Sequence, residues 1–321
     1  MTRLAVTMGD PCGVGPEIIV KSLGHIGRRT IPVIVGDLAV LLKAGRIVRK
    51  EPRFKPFKEG KIGEVELLDL SLLGDVSFGV PSPETALASY RYIEEAIKLV
   101  STHEVEGVVT CPVSKAAISR TGIPFSGHTE LLASFFSVSD YVMMMVGRRL
   151  RVSLVTTHIP LRMVPERISE ERVFKTIYVT DSALREYFRV AEPRIKVCGL
   201  NPHAGERGLL GDEEEKIERA IQRARDLGVH VSGPFPADSA FHRVDCDAFV
   251  AMYHDQGLIA VKTVDFKRTV NVTLGLPFVR TSVGHGVAYE IAGSGLADPQ
   301  SFKEAYACAE RMIRNRDWRG R

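Results

Sequence analysis

Three histidines in this chain each close an apolar segment: Arg151-Val-Ser-Leu-Val-Thr-Thr-His158, Ile195-Lys-Val-Cys-Gly-Leu-Asn-Pro-His203 and Asp247-Ala-Phe-Val-Ala-Met-Tyr-His254. In an open α/β sheet, ligands bind beyond the carboxyl ends of the strands. One histidine closing a strand usually bonds only its backbone neighbours. Three such imidazoles on one rim are most economically read as ligands of a divalent cation. His158, His203 and His254 are therefore the candidate metal ligands. Zinc suits them best, and cobalt, nickel or manganese could substitute.

Other polar groups suggest a place for an anion. Ser126-Gly-His128-Thr129-Glu130 leads into the apolar run Leu131-Leu-Ala-Ser-Phe-Phe136. A histidine and a hydroxyl at a helix start suit an oxyanion, because donors and helix dipole point the same way. A purely local capping role is the alternative. Lys262, Asn271 and Arg280 flank the apolar segments 271–274 and 278–279. A lysine, an amide and a guanidinium there would clamp a phosphate or carboxylate, each charge-assisted bond contributing roughly 1.5–3 kcal/mol. Lys115 is a candidate proton acceptor, with a structural salt bridge as its other reading. The turn Gly9-Asp-Pro-Cys-Gly-Val-Gly-Pro-Glu17 could cradle a phosphate, but it has neither the Walker lysine nor the dinucleotide spacing. A tight structural turn explains it equally well.

These groups need strands that end in one place. Strand-like and helix-like segments alternate along the chain, the pattern of an α/β protein with a mostly parallel sheet. The strand 4–8 precedes a helix over 16–23, and 31–36 is a second strand. Ser82-Pro83-Glu84 signals a helix start, with Leu87, Tyr90, Ile93, Ile97 and Val100 expected on its core face. A strand over 107–111 precedes a helix beginning at Lys115. Residues 210–226 read as an exposed amphipathic helix, and 299–312 as a final helix burying Phe302, Ala305, Tyr306 and Ala309. Residues 45–80 show no clear pattern. With no repeat and no linker, a second domain is expected to interrupt the first.

Composition narrows the class. A hydrophobic share of 45% and a charged share of 26% suit an ordinary globular protein. No apolar stretch approaches the ~20 residues a membrane span requires. The opening strand meets Gly9-Asp10-Pro11 too early for a signal-peptide core, so a cytoplasmic protein with no membrane partner is expected. A net charge of +4 is too mild to mark a nucleic-acid binder. Five scattered cysteines without a C-x-x-C pair argue against a disulfide framework or zinc ribbon.

The stretch His285-Gly286-Val-Ala288-Tyr-Glu-Ile-Ala-Gly293-Ser-Gly295-Leu-Ala-Asp298-Pro299 resembles the adenosine-binding loop of the isocitrate and isopropylmalate dehydrogenases. That resemblance implies NAD, or NADP, held by His285, Gly286, Ala288 and Asp298. It also implies a fold of two α/β domains flanking an active-site cleft. Over nearly its whole length the chain resembles the 4-hydroxythreonine-4-phosphate dehydrogenase family. The resemblance rests on the 9–17 turn, Gly127-His-Thr-Glu130, Thr156-Thr-His158, Leu200-Asn-Pro-His203-Ala-Gly-Glu206, Pro236-Ala-Asp238, Met252-Tyr-His254-Asp-Gln-Gly257 and Leu274-Gly-Leu-Pro-Phe278. It implies that His158, His203 and His254 hold the metal, with Asp238 beside them and magnesium also permitted. His128, Thr129, Lys262, Asn271 and Arg280 match substrate-binding positions. A homodimer with its active site at the subunit interface is implied as well.

The implied reaction is NAD-dependent oxidation of the C3 hydroxyl of 4-phosphooxy-L-threonine, followed by decarboxylation to 3-amino-2-oxopropyl phosphate, in pyridoxal 5'-phosphate biosynthesis. A sister group acting on 4-phospho-D-threonate or D-erythronate shares the wording of the first turn. An acyl-phosphate transferase of related architecture would need neither the histidines nor the adenosine loop. The expected domains are 1–127 with 285–321 on the cofactor side, and 128–284 for metal, substrate and dimerisation.

Overall fold

The computed structural model describes residues 1–318. The chain begins with β1 (Arg3–Thr7), α1 (Gly15–Ser22), β2 (Ile31–Gly36), α2 (Leu38–Ile47), β3 (Lys55–Pro56), β4 (Glu66–Asp69), α3 (Pro83–Ser101), β5 (Gly107–Thr110), α4 (Lys115–Arg120) and α5 (His128–Phe135). Its middle comprises β6 (Val142–Val146), β7 (Arg151–Leu154), α6 (Val164–Arg167), α7 (Glu170–Phe188), β8 (Arg194–Cys198), α8 (Glu213–Asp226), β9 (His230–Phe235), α9 (Ala237–Ala240), β10 (Ala248–Ala251), α10 (His254–Asp265) and β11 (Val270–Leu274). It closes with β12 (Val279–Val283) and α11 (Gln300–Trp318).

Two compact units result. One joins Met1–Ser137 to Leu276–Ile313; the other holds Val138–Gly275 and the end of α11 from Arg314 onward. The middle of the chain is thus an insertion, with seams after residues 137 and 275. α5 stays with the first unit, where Phe136 packs on Phe278 at 4.9 Å between ring centroids.

In the first unit six strands run in the order β3-β4-β2-β1-β5-β12, every adjacent pair parallel. β2 is buried at all six positions, as a strand covered on both faces must be. Order reverses between β1 and β5, so the connections after them leave in opposite directions and open a crevice at their carboxyl ends. α3 begins with a reciprocal cap: Thr85 N donates to Ser82 Oγ and Ser82 N to Thr85 Oγ1. Its inward face differs from the expected one. Ile93, Ile97 and Val100 are buried, but Leu87 is 41% exposed and Tyr92 takes the deep position. Tyr92 can sit there because its hydroxyl donates to buried Asp37. Phe302, Ala305, Tyr306 and Ala309 of α11 all face inward.

In the second unit the order is β11-β6-β7-β10-β8-β9. β6 is antiparallel to both neighbours, and the remaining pairs are parallel. Val152, Leu154, Phe249, Ala251 and Leu258 form its core. α8 buries Ile217, Ala220, Ile221 and, unexpectedly for an acid-rich helix, Glu214. Among the described residues no helix is long and apolar enough to cross a membrane.

Candidate active site

The parallel register of β7 and β10 sets Ala251 opposite Leu154. The two strands then leave the sheet side by side. Thr156 N and Thr156 Oγ1 both donate to Met252 O, at 3.1 and 2.7 Å, lacing the exits together. His158 lies four residues beyond Leu154 and His254 three beyond Ala251, so their rings meet with centroids 5.5 Å apart. Both line a pocket of about 270 Å³ with Tyr253 and Asp255. His254 Nδ1 lies 2.6 Å from Asp255 Oδ1. A carboxylate only accepts, so Nδ1 carries the hydrogen and the lone pair of Nε2 is free for a cation. This donor chemistry fits a divalent metal, but two imidazoles are one short of the usual set.

His203 is not with them. Among the described residues no three His, Cys, Asp or Glu side chains gather as one metal site. β8 lies next to β10, as the strand-end reading requires, yet the chain then makes a left-handed turn. His203, Ala204, Gly205, Glu206 and Arg207 all have φ between 45° and 74°. Left-handed backbone costs an L-residue roughly 1–2 kcal/mol, so no periodicity rule anticipates such a run. The turn leaves His203 exposed on a groove of about 1120 Å³, with Glu206, Glu214 and Pro236 also on its walls. α9, which carries exposed Asp238, packs against this turn and β8.

The candidate anion site of the first unit is better assembled. Arg280 on β12 pairs with Val108 of β5, two residues from Thr110 on the same face. Arg280 is 3% exposed, and its guanidinium donates from Nη2 to Thr110 Oγ1 at 2.8 Å and from Nη1 to Thr129 Oγ1 at 3.3 Å. Burial pulls its pKa down to about 10. Thr129 therefore does more than cap α5, whose N-cap is Gly127 without a side-chain bond. His128 is held well below the ordinary histidine pKa, first by burial and then by Arg280 and Lys115. Its Nε2 is shut from solvent without a hydrogen-bond partner. Lys115 Nζ stands against Gly127, close enough that a Cβ there would come within 2.9 Å of it. Among the described residues Lys115 makes no ion pair, so the salt-bridge reading has no partner here. A neutral imidazole beside buried and nearby cations is a setting for a polyanion.

The glycine-rich turn serves as a support. A Cβ at Gly9 would stand 2.5 Å from Pro112 O, and one at Gly15 2.2 Å from Met8 O. Val14 N donates to Val287 O, Lys21 Nζ to Gly295 O and Ala297 O, and Gly293 N to buried Glu17. Tyr289 donates to Asp10, whose pKa burial raises. The turn and α1 thus fix the loop from 284 to 299. On that loop His285 Nδ1 lies 3.0 Å from Gly286 O, its Nε2 is buried without a partner, and Ala288 has φ 47°. Asp298 accepts from Gln300 N at the start of α11, so it has a capping role at least.

In the second unit, Lys262 is in the third turn of α10 with its ammonium 5.6 Å from the Phe266 ring centre. Asn271 is on β11 opposite Met145, its Oδ1 buried without a partner. Sequence reasoning missed Asp255, Thr110 and Glu214. Asp255 follows His254 directly and carried a readable signal. Thr110 and Glu214 carried none, because only strand register and helix docking give them roles.

Residues 28–309 match the family described as pyridoxal phosphate biosynthetic protein PdxA. A 4-hydroxythreonine-4-phosphate dehydrogenase of Sulfurihydrogenibium sp. is 40% identical over 318 residues, covering 96% of this chain and 98% of that one. A D-threonate 4-phosphate dehydrogenase of Cupriavidus necator is 42% identical over 315 residues, covering 94% of each. The crystal structure of 4-hydroxythreonine-4-phosphate dehydrogenase from Klebsiella pneumoniae superimposes with a TM-score of 0.85 at 36% identity, covering 97% of this chain and 99% of that one.

Proposed function

The chain belongs to the PdxA family, and on that premise we propose that it is a cytoplasmic, metal- and NAD-dependent dehydrogenase of 4-phosphooxy-L-threonine. The observation that carries this reading is the buried Arg280 guanidinium bonded to Thr110 and Thr129 beside neutral His128. That arrangement suits the dianionic phosphate of such a substrate. The family resemblance assigns Lys262 and Asn271 to substrate binding as well.

The reaction oxidises C3: its hydrogen leaves as hydride and its hydroxyl proton goes to a base. Lys115, beside His128, is assigned to take that proton as it passes its own ammonium proton to solvent. The resulting ketone lies β to the carboxylate, so the C1–C2 electron pair can shift onto it as carbon dioxide leaves. A proton returned at C2 gives 3-amino-2-oxopropyl phosphate. When bound, zinc, or magnesium, manganese or cobalt in its place, supplies Lewis acidity to the C3 oxygen, and NAD or NADP supplies the hydride acceptor. His158 and His254 would hold the metal, with Asp255 orienting His254. Among the described residues this pair gathers no third such side chain, and the third ligand is assigned to His203 of a second copy, with Asp238 alongside, in a homodimer. His285, Gly286, Ala288 and Asp298 would receive the nucleotide's adenosine.

The absorbance of reduced nicotinamide tests this. It is expected to appear with 4-phosphooxy-L-threonine, vanish after chelation and return with a divalent metal. Faster turnover of 4-phospho-D-threonate or D-erythronate would move the substrate to the sister activity, which the Cupriavidus necator relative's name makes the second reading. No reduced nicotinamide with any of them, together with turnover of an acyl phosphate, would replace the dehydrogenase by a transferase.

A further inference from the structure

The left-handed turn that carries His203 is held from beneath by one side chain. Glu214, on the first turn of α8, is 6% exposed. Its Oε1 accepts from Leu200 N at 2.9 Å and from Asn201 N at 2.8 Å, and its Oε2 accepts from Asn201 Nδ2 at 2.9 Å. Oε2 also abuts the glycine of the turn: a Cβ on Gly205 would come within 2.6 Å of it. Three donors converge on this acceptor from the strand exit immediately before His203. A run of five left-handed residues does not hold itself, since each would relax toward a commoner conformation. The neighbouring Glu213 accepts from Asn201 Nδ2.

We propose that Glu214 is the positioning residue of His203: its carboxylate clamps the Leu200–Asn201 exit and so fixes where the imidazole is presented. This rests on the reading of His203 as a metal ligand. Glu214 does not touch the cation, and its part is to remove the freedom that His203 would otherwise lose on binding it.

Zinc titration of the purified apoprotein, followed by calorimetry, tests the idea without reference to turnover. E214A is expected to weaken zinc binding about 10- to 100-fold, the usual range for removing a group that orients a ligand. E214Q is expected to recover most of that loss, because Oε1 still accepts from both backbone amides. In the double variant H203A/E214A the two losses should fail to add, since both remove the same contribution. N201A, which deletes one of the three donors, should lose about fivefold, the equivalent of one ordinary hydrogen bond. Wild-type zinc affinity in E214A, or in N201A should E214A not fold, overturns the inference. Wild-type affinity in H203A overturns the ligand reading beneath it, and the inference with it. A loss in H203A with none in E214A overturns the inference alone.

Discussion

At the scale of single residues, the first unit's site is defined by what burial does to charge. Arg280 stays cationic despite its depressed pKa, because a value of about 10 lies well above neutrality. R280M should raise the KM for the phosphorylated substrate about 10- to 100-fold, the equivalent of one charge-assisted bond. Steady-state kinetics reads this, and an unchanged KM would detach Arg280 from the phosphate. His128 makes an opposite, pH-dependent contribution. The folded chain keeps it neutral, whereas the unfolded chain takes up a proton below about pH 6.5. The unfolded state then binds more protons, so stability falls as pH drops through that value. Between pH 7.5 and 5.5 the melting temperature of the wild type should fall further than that of H128Q. Equal slopes would mean that the imidazole is freely protonated in the folded protein.

At the scale of elements, the legible features were those written in local pattern. The β2 strand, the capped start of α3 and the inward face of α11 follow from composition and spacing. So does the exit of β7 and β10 at neighbouring histidines, since a buried parallel strand is an apolar run with a polar residue at its end. What stayed hidden depends on register or on backbone hand. The 203–207 turn is left-handed through four non-glycine residues, and no side-chain pattern encodes that. Glu214 lies in an acidic run that reads as solvated, and only docking of α8 under the strand exit makes it an acceptor. The glycine-rich turn was ambiguous because a phosphate cradle and a close backbone approach demand the same residue. The distances decide for close approach. G15A should destabilise the protein by about 1–3 kcal/mol or more through overpacking against Met8 O. Denaturant titration measures it, and an unchanged midpoint would show that the backbone yields there.

At the scale of the whole molecule, the proposed active site needs more than one chain. If His158 and His254 come from one copy and His203 from another, H203A and H254A should be inactive alone but complement each other when mixed. A heterodimer of the two has one intact site and one doubly damaged site. After random exchange, about a quarter of wild-type activity should return, because half the dimers are mixed and half their sites are whole. Complete silence of the mixture, with exchange verified by mass spectrometry, would place all three ligands within one copy.

The insertion of one unit into the other also has a consequence for biosynthesis. Thr110 and Arg280 are bonded across 170 positions, and β5 obtains its β12 neighbour only after the whole inserted unit has been made. On the ribosome, the inserted unit can finish folding while the amino-terminal segment still waits for its last strand and closing helix. A nascent chain released before residue 276 therefore contains every imidazole assigned to the cation and still lacks the guanidinium assigned to the substrate's phosphate.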